Sequence, residues 1–220
     1  MMNFKAICFD MDGTLIDRNA GALNNYKQLL RWDIPEISDE ELEALAKYLL
    51  KYDKHGSVEK EEIFTHYQEI EPRAKKEIQE YIDYWYEYTG IHTVAYKDTY
   101  EVLIALRERY QLILLTNGTI VGQRKKIQQM DFESYFDEVY VSEEIGYQKP
   151  DVRTFQYVIG QTGLDPDDIA YVGDHIVNDM MGSKKAGMTS ILVSVRTPND
   201  LSNVDFWVSN LGELKRLLLG

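Results

Sequence analysis

The chain has one cysteine, Cys8, among 220 residues, so no disulfide can form within it. Cys8 lies inside an apolar run, where a small buried thiol is the expected role. No apolar run approaches membrane-spanning length, and no basic segment followed by an apolar signal core opens the sequence. A cytoplasmic protein without membrane contact is therefore expected. Positive charge is also scarce: 24 Lys and Arg stand against 37 Asp and Glu, for a formal net charge of -13. That balance disfavours a nucleic-acid polymer as partner, because such binding needs clustered cations to displace counterions. A small phosphorylated ligand is not excluded, since one metal ion and one lysine can neutralise it locally. Internal repeats, low-complexity tracts and Pro/Gly/Ser-rich linkers are absent as well.

What is present suits a folded globular protein. Hydrophobic residues make up 44% and charged residues 28%, near globular averages, which excludes disordered and fibrous classes. A chain of 220 residues can hold one large domain, or a core with a smaller insert.

The spacing predicts a buried strand over 4–9, entering a turn at Asp10-Met11-Asp12-Gly13-Thr14. Two carboxylates one residue apart point to opposite faces of a continuing strand, so a shared task requires the strand to end between them. Gly13 supplies that ending and lets backbone N–H groups approach a ligand. Taken alone, Asp-x-Asp-Gly also fits an ordinary acidic turn or a calcium loop.

Helical spacing then dominates from about residue 19 to 90, with helices predicted over 20–32, 38–52, 57–70 and 72–88. Ser38 and Glu41 have capping-box spacing, Pro72 suits a first helical turn, and Gly90 suits a helix end. In the tyrosine-rich fourth segment, Ile78, Ile82 and Trp85 are expected to form the packing face, with some tyrosines half-exposed. Beyond about residue 98, helices alternate with short apolar strands at 112–116, 138–142, 169–173, 190–195 and 206–208. Helices are expected between them at 99–110, 120–130, 152–162 and 177–186, with a last one at 211–219. Such alternation implies a parallel sheet with helices on both faces.

In an open parallel sheet, ligands bind beyond the carboxyl ends of the strands. Asp10 and Asp12, Thr116-Asn117-Gly118, Lys149-Pro150 and Gly173-Asp174 all follow predicted strands. Each supplies something that phosphoryl transfer needs. One carboxylate can attack phosphorus and a second can protonate the leaving oxygen. Thr116 and the amides after Asn117 can donate to phosphate oxygens, Lys149 adds positive charge, and Asp174 with Asp10 can hold magnesium. Individually, Thr116-Asn117-Gly118 reads as a turn, Lys149 as a solvated loop residue, and 174–179 as helix capping. Asn117-Gly118-Thr119 also matches a glycosylation acceptor, without a secretion signal to give that meaning.

Together, Phe9-Asp10-Met11-Asp12-Gly13-Thr14, Leu115-Thr116-Asn117-Gly118, Gln148-Lys149-Pro150 and Gly173-Asp174-x-x-x-Asn178-Asp179 resemble the four motifs of the haloacid dehalogenase superfamily. The helical insert is similar to the cap of that superfamily's α-helical-cap group. The resemblance implies an α/β fold: a Rossmann-like parallel sheet core over 1–16 and 94–220, with a four-helix-bundle-like cap domain over 17–93. It further implies a Mg2+-dependent phosphatase with Asp10 as nucleophile and metal ligand. Asp12 would be general acid and base, giving its backbone carbonyl to the metal. Thr116, Asn117 and Lys149 would bind phosphate, Asp174 would ligate metal directly, and Asp179 would act from behind it or through water. His175 is expected to be exposed near the rim, without a catalytic role.

Asp12 argues against dehalogenation, because a departing halide needs no proton and an alkoxide does. A phosphomutase and a catalytically silent binding protein are the other classes. The expected substrate is a small soluble phosphomonoester, chosen largely by the cap. A nucleoside 5′-monophosphate is preferred; sugar-phosphate, phosphoglycolate and acylneuraminate phosphatases are the alternatives. Monomer and homodimer are both expected possibilities.

Overall fold

A computed structural model describes residues 4–220. Two compact units emerge: one runs from the amino-terminal strand to Ile16 and resumes over Ala95–Gly220, and the other is Asp17–Val94.

The first unit is built on a six-stranded, all-parallel sheet of β1 (Ala6–Phe9), β2 (Gln111–Thr116), β3 (Glu138–Val141), β4 (Ile169–Gly173), β5 (Thr189–Val193) and β6 (Phe206–Val208), in the order β3-β2-β1-β4-β5-β6. Residues alternate between the two faces of β1, as a period of two demands. Ile7 and Phe9 join one apolar cluster, and Ala6 and Cys8 join another. Helices α5 (Thr99–Arg107), α6 (Ile120–Gln129) and α10 (Leu211–Leu219) supply Val102, Leu103, Leu106, Ile127, Leu214 and Leu218 to the first cluster. On the other face, the short helix α7 (Ser142–Ile145) packs Ile145 against the second cluster, and α8 (Val152–Thr162) supplies Phe155 and Val158 to it. With both faces covered, the central strands are continuous buried runs. Burial also pushes the Cys8 thiol up in pKa, leaving it protonated and unreactive.

The chain leaves β1 to build β2 and β3 on one side, then returns to place β4 on β1's other edge. The order therefore reverses between β1 and β4, which opens a crevice at their carboxyl ends.

The second unit packs four helices, α1 (Arg18–Asp33), α2 (Asp39–Tyr52), α3 (Lys60–Ile70) and α4 (Ile78–Tyr88), around Tyr26, Leu29, Leu49, Phe64, Tyr67, Tyr81 and Trp85. The capping box at Ser38 and Glu41 is formed. Pro72 does not begin a helix: Glu71 pairs with Arg73 at 2.9 Å and closes a turn through Ala74, so α4 starts only at Ile78, behind a Glu77–Glu80 capping box. The expected packing face forms, with Trp85 in the core and Ile78 and Ile82 packed against it, and it gains one residue. Tyr81 is fully buried beside Trp85, while Ile78 and Ile82 are only partly buried. Burying that tyrosine is possible because Asp33 accepts from Tyr81 Oη at 2.9 Å and from Tyr67 Oη at 2.8 Å. Among the described residues, no helix is long and apolar enough to cross a membrane.

Asp53 is the ionic centre of this unit. Its side chain is fully buried, 2.5 Å from Arg18 Nη2 and 2.8 Å from Lys60 Nζ. Burial pushes its carboxyl up in pKa, but the two cations outweigh this and hold it below the ordinary value. A depressed carboxylate stabilises the fold above its unfolded pKa of about 3.9 and loses that contribution as pH falls through the folded value. Asp53→Asn, which leaves both cations facing a neutral amide, is expected to cost about 3–5 kcal/mol at neutral pH. Urea unfolding at pH 7 and pH 3 checks this: the gap between wild type and variant should narrow at pH 3.

Candidate active site

Asp10 follows β1 directly, and its N–H donates to Val172 O of β4 at 2.8 Å. Asp174 follows β4, so the neighbouring strand ends bring the two carboxylates together. Asp10, Asp174 and Asp179 offer carboxylate oxygens that all lie within 4.8 Å of one another. Two glycines make that crowding possible. Gly13 has φ +91°, and a Cβ there would fall 2.2 Å from Asp174 Oδ2. A Cβ on Gly173 would fall 2.5 Å from Asp179 Cγ. A side chain at either position would displace a carboxylate.

Lys149 is not a solvated loop residue. It is 3% exposed, and its Nζ donates to Asp10 Oδ1 at 2.6 Å, Asp179 Oδ1 at 2.8 Å and Tyr171 Oη at 2.8 Å. Tyr171 passes its own hydrogen to Asp179 at 3.2 Å. The His175 N–H donates to the other Asp179 oxygen at 3.0 Å. The loop that carries Lys149 is locked to Asn117, whose side-chain amide pairs with the Lys149 main chain twice, both at 2.9 Å. Asn117 thus ties the turn after β2 to the Lys149 loop.

Thr116 ends β2, and its side chain is almost fully buried. Its Oγ1 accepts from Gln123 Nε2 at 2.6 Å. Asp12 points away from the three-carboxylate cluster into a different set of donors. Lys126 Nζ is 2.8 Å from each Asp12 oxygen, and Gln123 Nε2 is 2.8 Å from Oδ2. The crevice thus sorts its carboxylates into two environments.

Electrostatics follow from burial and from the count of negative groups. Burial, Asp179 and Asp12 push Asp10 up to about 7 against the pull of Lys149. Burial, followed by Asp10 and Asp179, pushes Asp174 up to about 8, even though part of its surface remains open to solvent. For Lys149, burial acts downward, but Asp10 and Asp179 hold it above the usual lysine value, and it stays a cation.

His175 is exposed, and its Nδ1 accepts from the Val177 and Asn178 amides at 3.2 and 3.0 Å. The helix expected over 177–186 is instead a π-type turn over Ile176–Met181 followed by α9 (Gly182–Lys185). His175 O accepts from Asp179 N and Met180 N, and this wider turn aims Asp179 back beneath Lys149. Gln123, Lys126 and Tyr171 carry no motif signal: they read as a helix surface and a strand core. The one pointer available is that Gln123 and Lys126, three apart, share one face of the helix after Thr116.

A family model described as haloacid dehalogenase-like hydrolase matches residues 7–193, spanning every residue of the crevice. Among curated proteins, the glyceraldehyde 3-phosphate phosphatase of Methanothermobacter thermautotrophicus is 28% identical over 205 residues, covering 86% of this chain and 85% of that protein. The human N-acylneuraminate-9-phosphatase is also 28% identical, over 84% of this chain and 79% of its own. Among solved structures, the magnesium-bound Bacillus subtilis protein YfnB superposes with a TM-score of 0.80 at 17% identity, covering 98% of this chain and 99% of that one, which speaks for the fold. With the family match running through all four strand ends of the crevice, the chain belongs to the haloacid dehalogenase-like hydrolases.

Proposed function

We propose that the chain is a phosphoric monoester hydrolase acting on a small phosphorylated metabolite through an aspartyl phosphate on Asp10. What carries this reading is the sorting of carboxylates: Asp10 faces a buried lysine, while Asp12, two residues on, is held by separate donors. Asp12 enters this step protonated: an Asp10 oxygen attacks phosphorus, the phosphorus–oxygen bond to the leaving group breaks, and the Asp12 proton passes to the departing oxygen, leaving Asp12 ionised. Water then attacks the phosphoryl group as Asp12 takes its proton. The bond to Asp10 breaks, releasing phosphate and restoring the carboxylate. Lys149, the Thr116 hydroxyl and the backbone at Asn117 neutralise and orient the phosphoryl oxygens.

The donor set fits magnesium: carboxylate oxygens alone, gathered within 4.8 Å around glycines that leave them room. Asp10, Asp174 and the Asp12 carbonyl would hold the ion, with Asp179 supporting from behind. Bound there, it would offset the negative charge that nucleophile and phosphate bring together. The raised pKa values give this a test independent of turnover. Between about pH 4 and pH 8 the metal-free folded chain binds more protons at Asp10 and Asp174 than the unfolded chain does. These two groups therefore cost stability as pH rises through that window. A divalent cation replaces those protons, so its stabilisation should grow with pH. Magnesium near 100 times its Kd is expected to raise Tm by roughly 5–10 °C at pH 8, and clearly less at pH 5.5. Thermal melts at both pH values check this; equal shifts would count against the site.

The two curated relatives named above act, by their names, on a phosphorylated aldose and a phosphorylated acyl sugar. Within the cap-like unit, Trp32 stacks on Tyr84 at 4.3 Å, and Tyr81 and Trp85 are buried in its core. These four rings are thereby committed to packing rather than to stacking a nucleobase. That favours sugar and hydroxyacid phosphates over the nucleoside 5′-monophosphates expected from sequence. Ranking kcat/KM across both classes with magnesium tests the choice, and phosphate release from none of the esters would sink the hydrolase reading. A cytoplasmic setting belongs to the same reading.

A further inference from the structure

Gln123 is buried at 4% exposure, and its single amide nitrogen reaches two active-site groups, Thr116 Oγ1 at 2.6 Å and Asp12 Oδ2 at 2.8 Å. Lys126 Nζ donates to both Asp12 oxygens in this arrangement, so the carboxylate acts as acceptor and the nitrogen, not the oxygen, of Gln123 faces it. The second N–H then points to Thr116, whose hydroxyl is obliged to accept it. This leaves the Thr116 hydrogen without a strong partner: Asn117 O lies 3.5 Å away, at the limit of a hydrogen bond. One turn further along α6, Lys126 grips both oxygens of Asp12. Space for this arrangement is reserved at Gly118, where φ is +138° and a Cβ would stand 2.9 Å from Gln123 Cγ. The Thr119 side chain, accepting from Gly122 N at 3.2 Å, fixes where the helix begins and hence where Gln123 points.

We propose that Gln123 and Lys126 are positioning residues for the phosphatase reaction and divide the task between them. Gln123 sets the polarity of Thr116, turning its hydrogen toward the phosphoryl oxygens. Lys126 keeps Asp12 out of the Asp10, Asp174 and Asp179 cluster and in register with the leaving oxygen. The proposal rests on the phosphatase reading given above. It predicts that the two residues fail differently, because one serves phosphate binding and the other serves proton delivery.

The test uses the magnesium-loaded full chain with an aryl phosphate, which leaves without much protonation, and an alkyl phosphate, which needs it. Lys126→Met keeps the stem and removes the charge. It is expected to slow leaving-group release in the first turnover by about 10- to 100-fold on the alkyl ester and by only about threefold or less on the aryl ester, whereas the second step, common to both esters, slows alike for the two. Lys126→Arg, still able to fork onto the carboxylate, should recover most of the alkyl-ester rate. Gln123→Leu is expected to raise KM for both esters alike, and the inhibition constant of inorganic phosphate with it, by roughly tenfold. Melting curves confirm that each variant is folded. Equal loss of first-turnover leaving-group release on both esters for Lys126→Met, or unchanged phosphate inhibition for folded Gln123→Leu, overturns the proposal while leaving the hydrolase reading in place. A wild-type chain inactive on both esters overturns the hydrolase reading itself, and this proposal with it.

Discussion

Asp10→Asn is expected to reduce turnover by roughly 10⁴-fold or more while leaving the protein folded. An amide is a poor nucleophile toward phosphorus and a weaker ligand for a hard cation, so both proposed duties of Asp10 are lost at once. The surroundings tolerate the change. The asparagine oxygen can still accept from Lys149 where Asp10 Oδ1 does now, at 2.6 Å, and its NH2 group can donate to Thr14 Oγ1, now 3.2 Å from Oδ2. Lys149 also keeps Asp179 as a counter-charge at 2.8 Å. A change in stability within about 2 kcal/mol is therefore expected, since the lost ion pair is offset by a carboxylate that no longer has to be desolvated. Brief incubation with a radiolabelled phosphate ester should trap label on wild type and none on Asp10→Asn. Turnover within tenfold of wild type, or label retained on the variant, would show that another residue is the nucleophile.

Lys149→Met should injure both stability and activity. Its ammonium bridges Asp10, Asp179 and Tyr171 from a position 3% exposed, and methionine fills the stem's space without the charge. The three clustered carboxylates then lose their buried cation, which typically costs about 3–5 kcal/mol, or roughly 6–20 °C in Tm for a chain of this size. The destabilisation should grow from about pH 6 upward, where wild type begins to release the protons that the variant keeps. Asp10 and Asp174 already sit at about 7 and 8 with Lys149 present, and without it their protonated forms are favoured further. Magnesium should restore part of the stability by supplying charge at the cluster. It should not restore activity, because the phosphoryl oxygens would still lack the lysine proposed to bind them, and kcat/KM is expected to fall by about 10²–10³-fold. Lys149→Arg should rescue poorly, since a planar guanidinium needs room that a buried ammonium does not. A small Tm change, together with kcat/KM within threefold of wild type, would remove Lys149 from the proposed machinery.

Much of the crevice was legible because its residues obey a positional rule. Asp10, Thr116, Asp174 and the Lys149 loop each follow an apolar run, and parallel strands present their carboxyl ends on one rim. Misreadings arose where local pattern and tertiary demand diverge. Helical spacing cannot distinguish an α-turn from the wider turn over Ile176–Met181, because both place apolar residues at similar intervals. Pro72 looked like a helix start, but the Glu71–Arg73 pair captures that stretch as a turn. Tyr81 was not among the residues expected to pack, and it is buried because Asp33 supplies an acceptor for its hydroxyl inside the unit's core.

By itself the sequence determined the alternation of strands and helices, the helical insert, and the chemistry of the strand ends: two carboxylates around Gly13, a hydroxyl, a lysine and a later acidic pair. Those follow from local periodicity and from the bonds each residue type can form. Only the tertiary structure decided which carboxylates share a space. Placing β4 beside β1 crowds Asp174 and Asp179 against Asp10, and folding α6 back over the turn after β2 draws Asp12 away to Gln123 and Lys126. Distance along the chain carries no information about that division, because it is set by strand order and by where buried charge can find a partner.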